Sequence, residues 1–349
     1  MSAAQWRRAM RSSAVASPAG GHVTPVPLVR VPPATDTTPA SFWFERFGAR
    51  VRPRHLLVLA AALLYPFVAS PFFTYQIGAQ SLALGLIALS LTFLGGYGGM
   101  VSLAQMTVAG LAGYLVAIFG TSSVAAISLG WPWGLAVAVA LVGATVVAAA
   151  IGWLSVRTEG IYTIMITLAI GVAFFYLAQQ NYTVFNGFGG FSKLAAPELF
   201  GIDLKEPVPF YFLALTCALG GYGLVRHLVR APFGIALQGI RDNPRRMASL
   251  GYNVIAHRIA AYAVSGLLAA IGGVLLVWYN GRISPGTMNL AQMIGILIIA
   301  VLGGMKHPIA GAAQALFLAL LRPKLNYALS SIMNNINNNS AMDFHFVST

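Results

Sequence analysis

The densest charge chemistry in the chain lies in residues 231–258, APFGIALQGIRDNPRRMASLGYNVIAHR, where Arg241, Asp242, Arg245 and Arg246 stand close together. Guanidinium groups keep their charge at any ordinary pH, so this cluster can steer and orient a partner surface but cannot act as an acid or base. Asn243 suits a helix N-cap, Pro244 the first helical position and Gly251 a left-handed C-terminal residue. The spacing therefore predicts a short helix with a start and a stop, of the kind that shows a surface to a partner. A basic loop that only sets orientation in a membrane is the other reading of the same residues.

A second set of residues is polar but uncharged: Ser90, Thr92, Ser102, Gln105 and Thr107, then Thr163, Thr167 and Ser265. Hydroxyls and amides can replace the water lost by a small polar solute, which makes Ser102, Gln105, Thr163 and Thr167 candidates for lining its path. Each could equally satisfy a backbone carbonyl or bridge two helices. The segment GGYGGMVSLAQMTVAGLAGY at 95–114 adds glycines that permit close helix contact or a break in a helix.

Other chemistries are excluded by what the apolar runs lack. No Asp, Glu, Lys, Arg or His lies well inside one, whereas ion-coupled pumps and proton-driven carriers generally need buried ionisable groups and haem subunits need intramembrane histidines; a sodium-coupled carrier using backbone carbonyls stays open. Paired carboxylates, Cys/His clusters and phosphate-binding loops are missing too, so no catalytic residue, cofactor or metal ligand is expected. The lone Cys217 permits no intrachain disulfide.

The elements that must position these residues follow from composition. Hydrophobic residues make up 58% of the 349 and charged residues 8%. A bilayer core about 30 Å thick takes roughly 20 apolar residues per helix. Apolar runs recur from 55 to 321, which predicts an all-α, polytopic transmembrane bundle of about eight to ten spans. Nine are expected, at 56–73, 76–94, 102–119, 133–154, 161–178, 208–224, 259–279, 290–302 and 309–321. Residues 1–54, with no acid before Asp36, read as a flexible basic cytoplasmic tail, and 322–349 as a polar C-terminal tail. Alternation puts the N-terminal tail, Arg157 and the loop at 226–258 on one side, and the excess of arginine there makes that side cytoplasmic. Arg282 falls on the other side as an exception, and so do Arg322 and Lys324 if the number of spans is odd. The net charge of +13 is thus read as topology and contact with anionic lipid, not as nucleic-acid binding.

Five segments fall in one order: GGYGGMVSLAQMTVAGLAGY, RTEGIYTIMITLA, APFGIALQGIRDNPRRMASLGYNV, YNGRISPGTMNL and VLGGMKHPIAGA. In that register the chain resembles the permease subunits of branched-chain amino acid ABC transporters. The long N-terminal tail and the R-x-x-G-I-Y-x-x-x-x-T-L pattern make it similar to the LivM-type subunit. The resemblance implies an importer permease for branched-chain amino acids or related small polar solutes, with ATP hydrolysed in a separate subunit. It implies that 226–258 is a coupling loop docking into the ATPase, with Ile240, Ala248 and Leu250 packing while Arg241, Asp242, Arg245 and Arg246 steer and Asn243 caps. The implied partners are a second, LivH-type permease, two ATP-binding subunits and an extracytoplasmic solute-binding protein that faces 179–207. The implied location is the bacterial inner membrane.

Two features depart from the family pattern. RPKLNYALSSIMNNINNNSAMDFHFVST follows Leu321 where relatives usually carry a further membrane helix. FNGFGGF at 185–191 stands where Thr-Gly-Gly-x-x-Gly is usual, which points the substrate toward urea, short amides or other amino acids as well. A self-sufficient secondary carrier or channel, and a defective paralogue, are the alternatives to the importer reading.

Overall fold

A computed structural model describes residues 62–67, 70–124, 126–158, 160–194, 196–199 and 202–302. The expected tails at 1–54 and 322–349, residues 56–61 and 68–69 of the span at 56–73 and all of the span at 309–321 lie outside them.

Helix α1 runs continuously from Pro71 to Tyr97, with π-helical turns at Thr74–Ala79 and Phe93–Tyr97. The expected boundary at 73–76 therefore moves to Ser70, whose extended backbone precedes Pro71. Proline has no N–H to lose in a first helical turn, so it starts this helix cheaply. Helix α2 is Gln105–Phe119, beginning three residues after the expected Ser102. Helices α3 (Trp133–Ser155), α4 (Ile161–Gln180) and α5 (Pro207–Arg230) follow close to the expected spans. The Arg-rich segment holds two helices, α6 (Pro232–Asp242) and α7 (Pro244–Ser249). Helices α8 (Val254–Asn280) and α9 (Leu290–Leu302) complete the described bundle. Among the described residues, α1, α3, α4, α5 and α8 are long and apolar enough to cross a membrane.

Helix α8 is the hub, packing against α1, α2 and α3. Lipid tails are as apolar as leucine, so close approach through small residues holds such helices together. Ala136, Ala140, Ala144 and Ala148 form a buried stripe along α3, and Ala148 lies directly over Gly266 of α8. Gly273 lies against the backbone of Ala109 in α2 in the same way. Charges in the described helices are confined to α6, α7 and the adjoining turns of α5 and α8. At the opposite end of α8, strand β1 (Phe191–Ser192) pairs antiparallel with β4 (Arg282–Ile283), and β2 (Glu198–Leu199) with β3 (Ile202–Asp203).

Candidate functional site

Between α1 and α2 the chain leaves the helix at 98–104, where Gly99 adopts φ +68°. Non-helical backbone within a membrane is tolerated only where it is buried in protein or lines a water-filled cavity. Ser102, Leu103 and Ala104 are accordingly buried, and the groups that replace helical bonds are the polar residues noted above. The amide of Leu103 donates to Thr167 Oγ1 of α4 at 3.2 Å, and that of Ala104 to Ser102 Oγ at 3.3 Å.

Helix α2 thus opens on Gln105 inside the bundle, 2% exposed. Its Nε2 donates to Ser265 Oγ of α8 at 3.0 Å, and its Oε1 accepts from Ser90 Oγ of α1 at 3.3 Å. Ser265 passes its own proton to the carbonyl of Tyr262, and Ser90 shares its proton with the carbonyl of Ile87. One side-chain amide therefore joins three helices around the break.

All eight polar residues singled out in the sequence are buried, but they do not form one site. Ser102, Gln105 and Thr167 meet at the break, with Ser90 and Ser265 beside them. Thr163 is turned to its own surroundings, donating to the carbonyl of Thr158 at 2.9 Å, and Thr92 bonds back to Ala88. Thr107 Oγ1 is buried facing Gly171 of α4 and makes no hydrogen bond among the described residues.

A cavity of about 290 Å³ lies next to this cluster, toward the β1–β4 end of the bundle. Leu84, Met106, Ala109, Leu276 and Val277 supply apolar walls, while Gln80, Asn280, Ser284, Thr287 and Gln292 supply polar ones. Arg282 is the charged residue in its lining. Met106 follows Gln105 directly, so the cavity and the polar cluster share a stretch of α2. None of these lining residues was a sequence candidate. The available signal was Arg282, the exception to the charge pattern, within YNGRISP. The pairing of β1 with β4 sets Ser192 opposite Arg282, bringing the FNGFGGF segment to the same rim.

At the other end, α6 buries Gly234, Ala236, Leu237 and Ile240. Ile240, expected to pack against a partner, is instead fully buried in its own chain, because the apolar face of α6 closes on the bundle. Asn243 caps α7 as expected, its Oδ1 accepting the amide of Arg246 at 3.0 Å, and Gly251 has φ +89°. Arg245, Arg246, Ala248 and Leu250 are exposed. Arg241 is also exposed, its side chain 35% accessible, but it reaches back to α1: Nη1 donates to the carbonyl of Gly96, while Nε and Nη2 each lie 2.9 Å from Asp242 Oδ1.

Residues 73–342 match the family described as branched-chain amino acid transport system / permease component. Over 304 residues the chain is 25% identical to the high-affinity branched-chain amino acid transport system permease protein LivM of Escherichia coli K12, covering 79% of this chain and 69% of that protein. A probable branched-chain amino acid transport permease protein LivH of Methanocaldococcus jannaschii is 28% identical over 120 residues, 34% of this chain and 36% of that one. The nucleoside ABC transporter permease protein NupC of Lactococcus lactis subsp. cremoris is 30% identical over 112 residues, covering 31% and 33% of the two chains. No solved structure matches the chain.

Proposed function

The chain belongs to the family of permease components of branched-chain amino acid transport systems, and from that membership we propose that it carries a small polar solute inward on energy from a separate ATPase. It is a multi-pass membrane permease of the ABC type. The observation that carries the ATPase reading is α7. An Asn-capped helix, basic and solvent-exposed, stands at the end of the bundle where the helix charges gather. A separate ATPase also fits described helices whose charges gather only toward the α6–α7 end.

In this reading Arg245 and Arg246 orient the ATP-binding subunit, and Ala248 and Leu250 pack against it. Ile240 seats α6 on the bundle behind that surface and Asn243 caps α7, while Arg241 and Asp242 form a partly exposed ion pair beside it. The assembly contains a second, LivH-type permease, two ATP-binding subunits and an extracytoplasmic solute-binding protein that meets the β1–β4 end. It sits in the bacterial inner membrane with the N-terminus and α6–α7 cytoplasmic, where anionic lipid also favours the arginines.

The cavity suits an amino acid. Arg282 can pair with a carboxylate, the amide and hydroxyl groups with an ammonium, and the apolar walls with a branched side chain. From there the path passes Gln105, Ser102 and Thr167 at the break, with Thr163 nearer the α6–α7 end.

The test is co-expression with a partner permease and ATP-binding subunits, purified through a tag on the ATPase. Wild type co-purifies, and Arg245→Glu/Arg246→Glu does not although it inserts stably. Equal recovery of both forms rejects α7 as the docking surface. Solute uptake by the chain alone rejects the ATPase reading in favour of a self-sufficient carrier.

A further inference from the structure

Arg241 lies in the last turn of α6, and its side chain grips the α1 side of the α1–α2 break. The guanidinium donates to the carbonyl of Gly96, in the last π-helical turn of α1 and 145 positions earlier in the chain. A helix end leaves such carbonyls without an in-helix partner, and a cation there also meets the negative end of the helix dipole. The aliphatic stem lies against Gly99, where an added Cβ would overlap Arg241 Cγ. Gly99 also has φ +68°, so both space and backbone demand glycine. The rest of the guanidinium is held by Asp242, which keeps the fork aimed at Gly96.

Head and stem of one side chain thus hold two points of a single turn. That turn runs on through 100–104 into Gln105, whose amide joins α1 to α8. We infer that Arg241 is the joint through which displacement of α6–α7 reaches the broken segment at 98–104, acting as a positioning residue and not as part of the docking face. The inference rests on the ATPase reading above. A purely static role, capping α1, would cost stability but would leave the response of the break to nucleotide intact.

The test reads the break directly and needs no knowledge of the solute. Val101→Cys in a Cys217→Ser background is labelled with N-ethylmaleimide in the assembled complex, with and without ATP and vanadate. With Arg241 present, nucleotide changes the labelling rate by about tenfold, within the usual range of coupling between sites. With Arg241→Gln the complex still co-purifies but the change falls below about twofold, and Arg241→Lys, which keeps a charged donor, restores much of it. If Arg241→Gln yields no stable complex, Asp242→Ala frees the other side of the guanidinium while leaving the backbone of the break untouched, and carries the same expectation. An unaltered nucleotide response in an intact Arg241→Gln complex overturns the inference. So does failure to co-purify equal to that of Arg245→Glu/Arg246→Glu with the bundle still folded, since Arg241 would then belong to the docking face. A wild-type chain that never binds the ATPase removes the functional reading itself, and the joint with it.

Discussion

Gln105 and Ser265 stand 160 residues apart in the chain, and inside the bundle the amide of one donates to the hydroxyl of the other at 3.0 Å. The two serines around Gln105 each have a backbone carbonyl as an alternative partner, so removing the amide orphans neither. Gln105→Leu should therefore cost little stability, about 1 kcal/mol as for other interhelical bonds in membranes. Transport by the assembled complex should fall far more, by about tenfold or greater, because the break loses the group that aligns three helices. Parallel melting and uptake measurements check this. A loss of stability that accounts for the whole loss of uptake would refute it.

Gly273 and Gly220 predict opposite outcomes for the same change. A Cβ on Gly273 would meet the backbone of Ala109, which cannot move aside as a flexible side chain could. Gly273→Ala should destabilise the purified protein by about 1–3 kcal/mol through overpacking. Nothing lies within 4 Å of a Cβ on Gly220, in exposed α5, so Gly220→Ala should gain about 0.5 kcal/mol from reduced backbone freedom. Thermal melting in detergent separates the two.

Asn243→Ala removes the cap of α7 at a cost of about 1 kcal/mol. The loss should stay local, because α7 buries none of its residues in the bundle. Hydrogen exchange should speed up by about fivefold at the amides of 246–250 and remain unchanged in α8. Weaker recovery on the tagged ATPase should accompany it.

The exposed charges of α7 make docking sensitive to salt. Raising ionic strength from about 0.05 to 0.5 M shortens the Debye length severalfold and should slow association with the ATPase by about tenfold or more. An Arg245→Gln/Arg246→Gln chain should start slow and show little further change. Association rates measured by surface capture decide it.

Arg282→Gln should discriminate between solutes. If the guanidinium receives a carboxylate, half-saturation for leucine should rise by about tenfold while a neutral amide solute is little affected. An equal rise for both would assign Arg282 to the β1–β4 rim alone.

Legibility in the sequence follows the range of the interaction concerned. The expected spans at 133–154, 161–178, 208–224 and 259–279 lie within α3, α4, α5 and α8, because hydropathy sums over neighbours in one helix. The α7 cap was equally legible, since Asn243, Pro244 and Gly251 act on backbone within a turn. The start of α1 was misplaced because apolar residues continue on both sides of Ser70, leaving Pro71 as the only marker. Ile240 was placed outward because an amphipathic helix shows that it has an apolar face but not what covers it.

The sequence by itself determined that this chain is an all-helical membrane bundle, where its charges gather and which helix is capped. Those properties depend on side-chain type and on spacing within a few turns. Only the tertiary structure decided that Gln105 joins Ser90 to Ser265, that Arg241 reaches Gly96 and Gly99, and that Arg282 lines a cavity with residues of α1, α2 and α8. Each of these needs two or more helices to meet at one height and one rotation. That is set by the close fit of small residues such as Gly266 on Ala148 and Gly273 on Ala109, a relation between distant parts of the chain that no local pattern encodes.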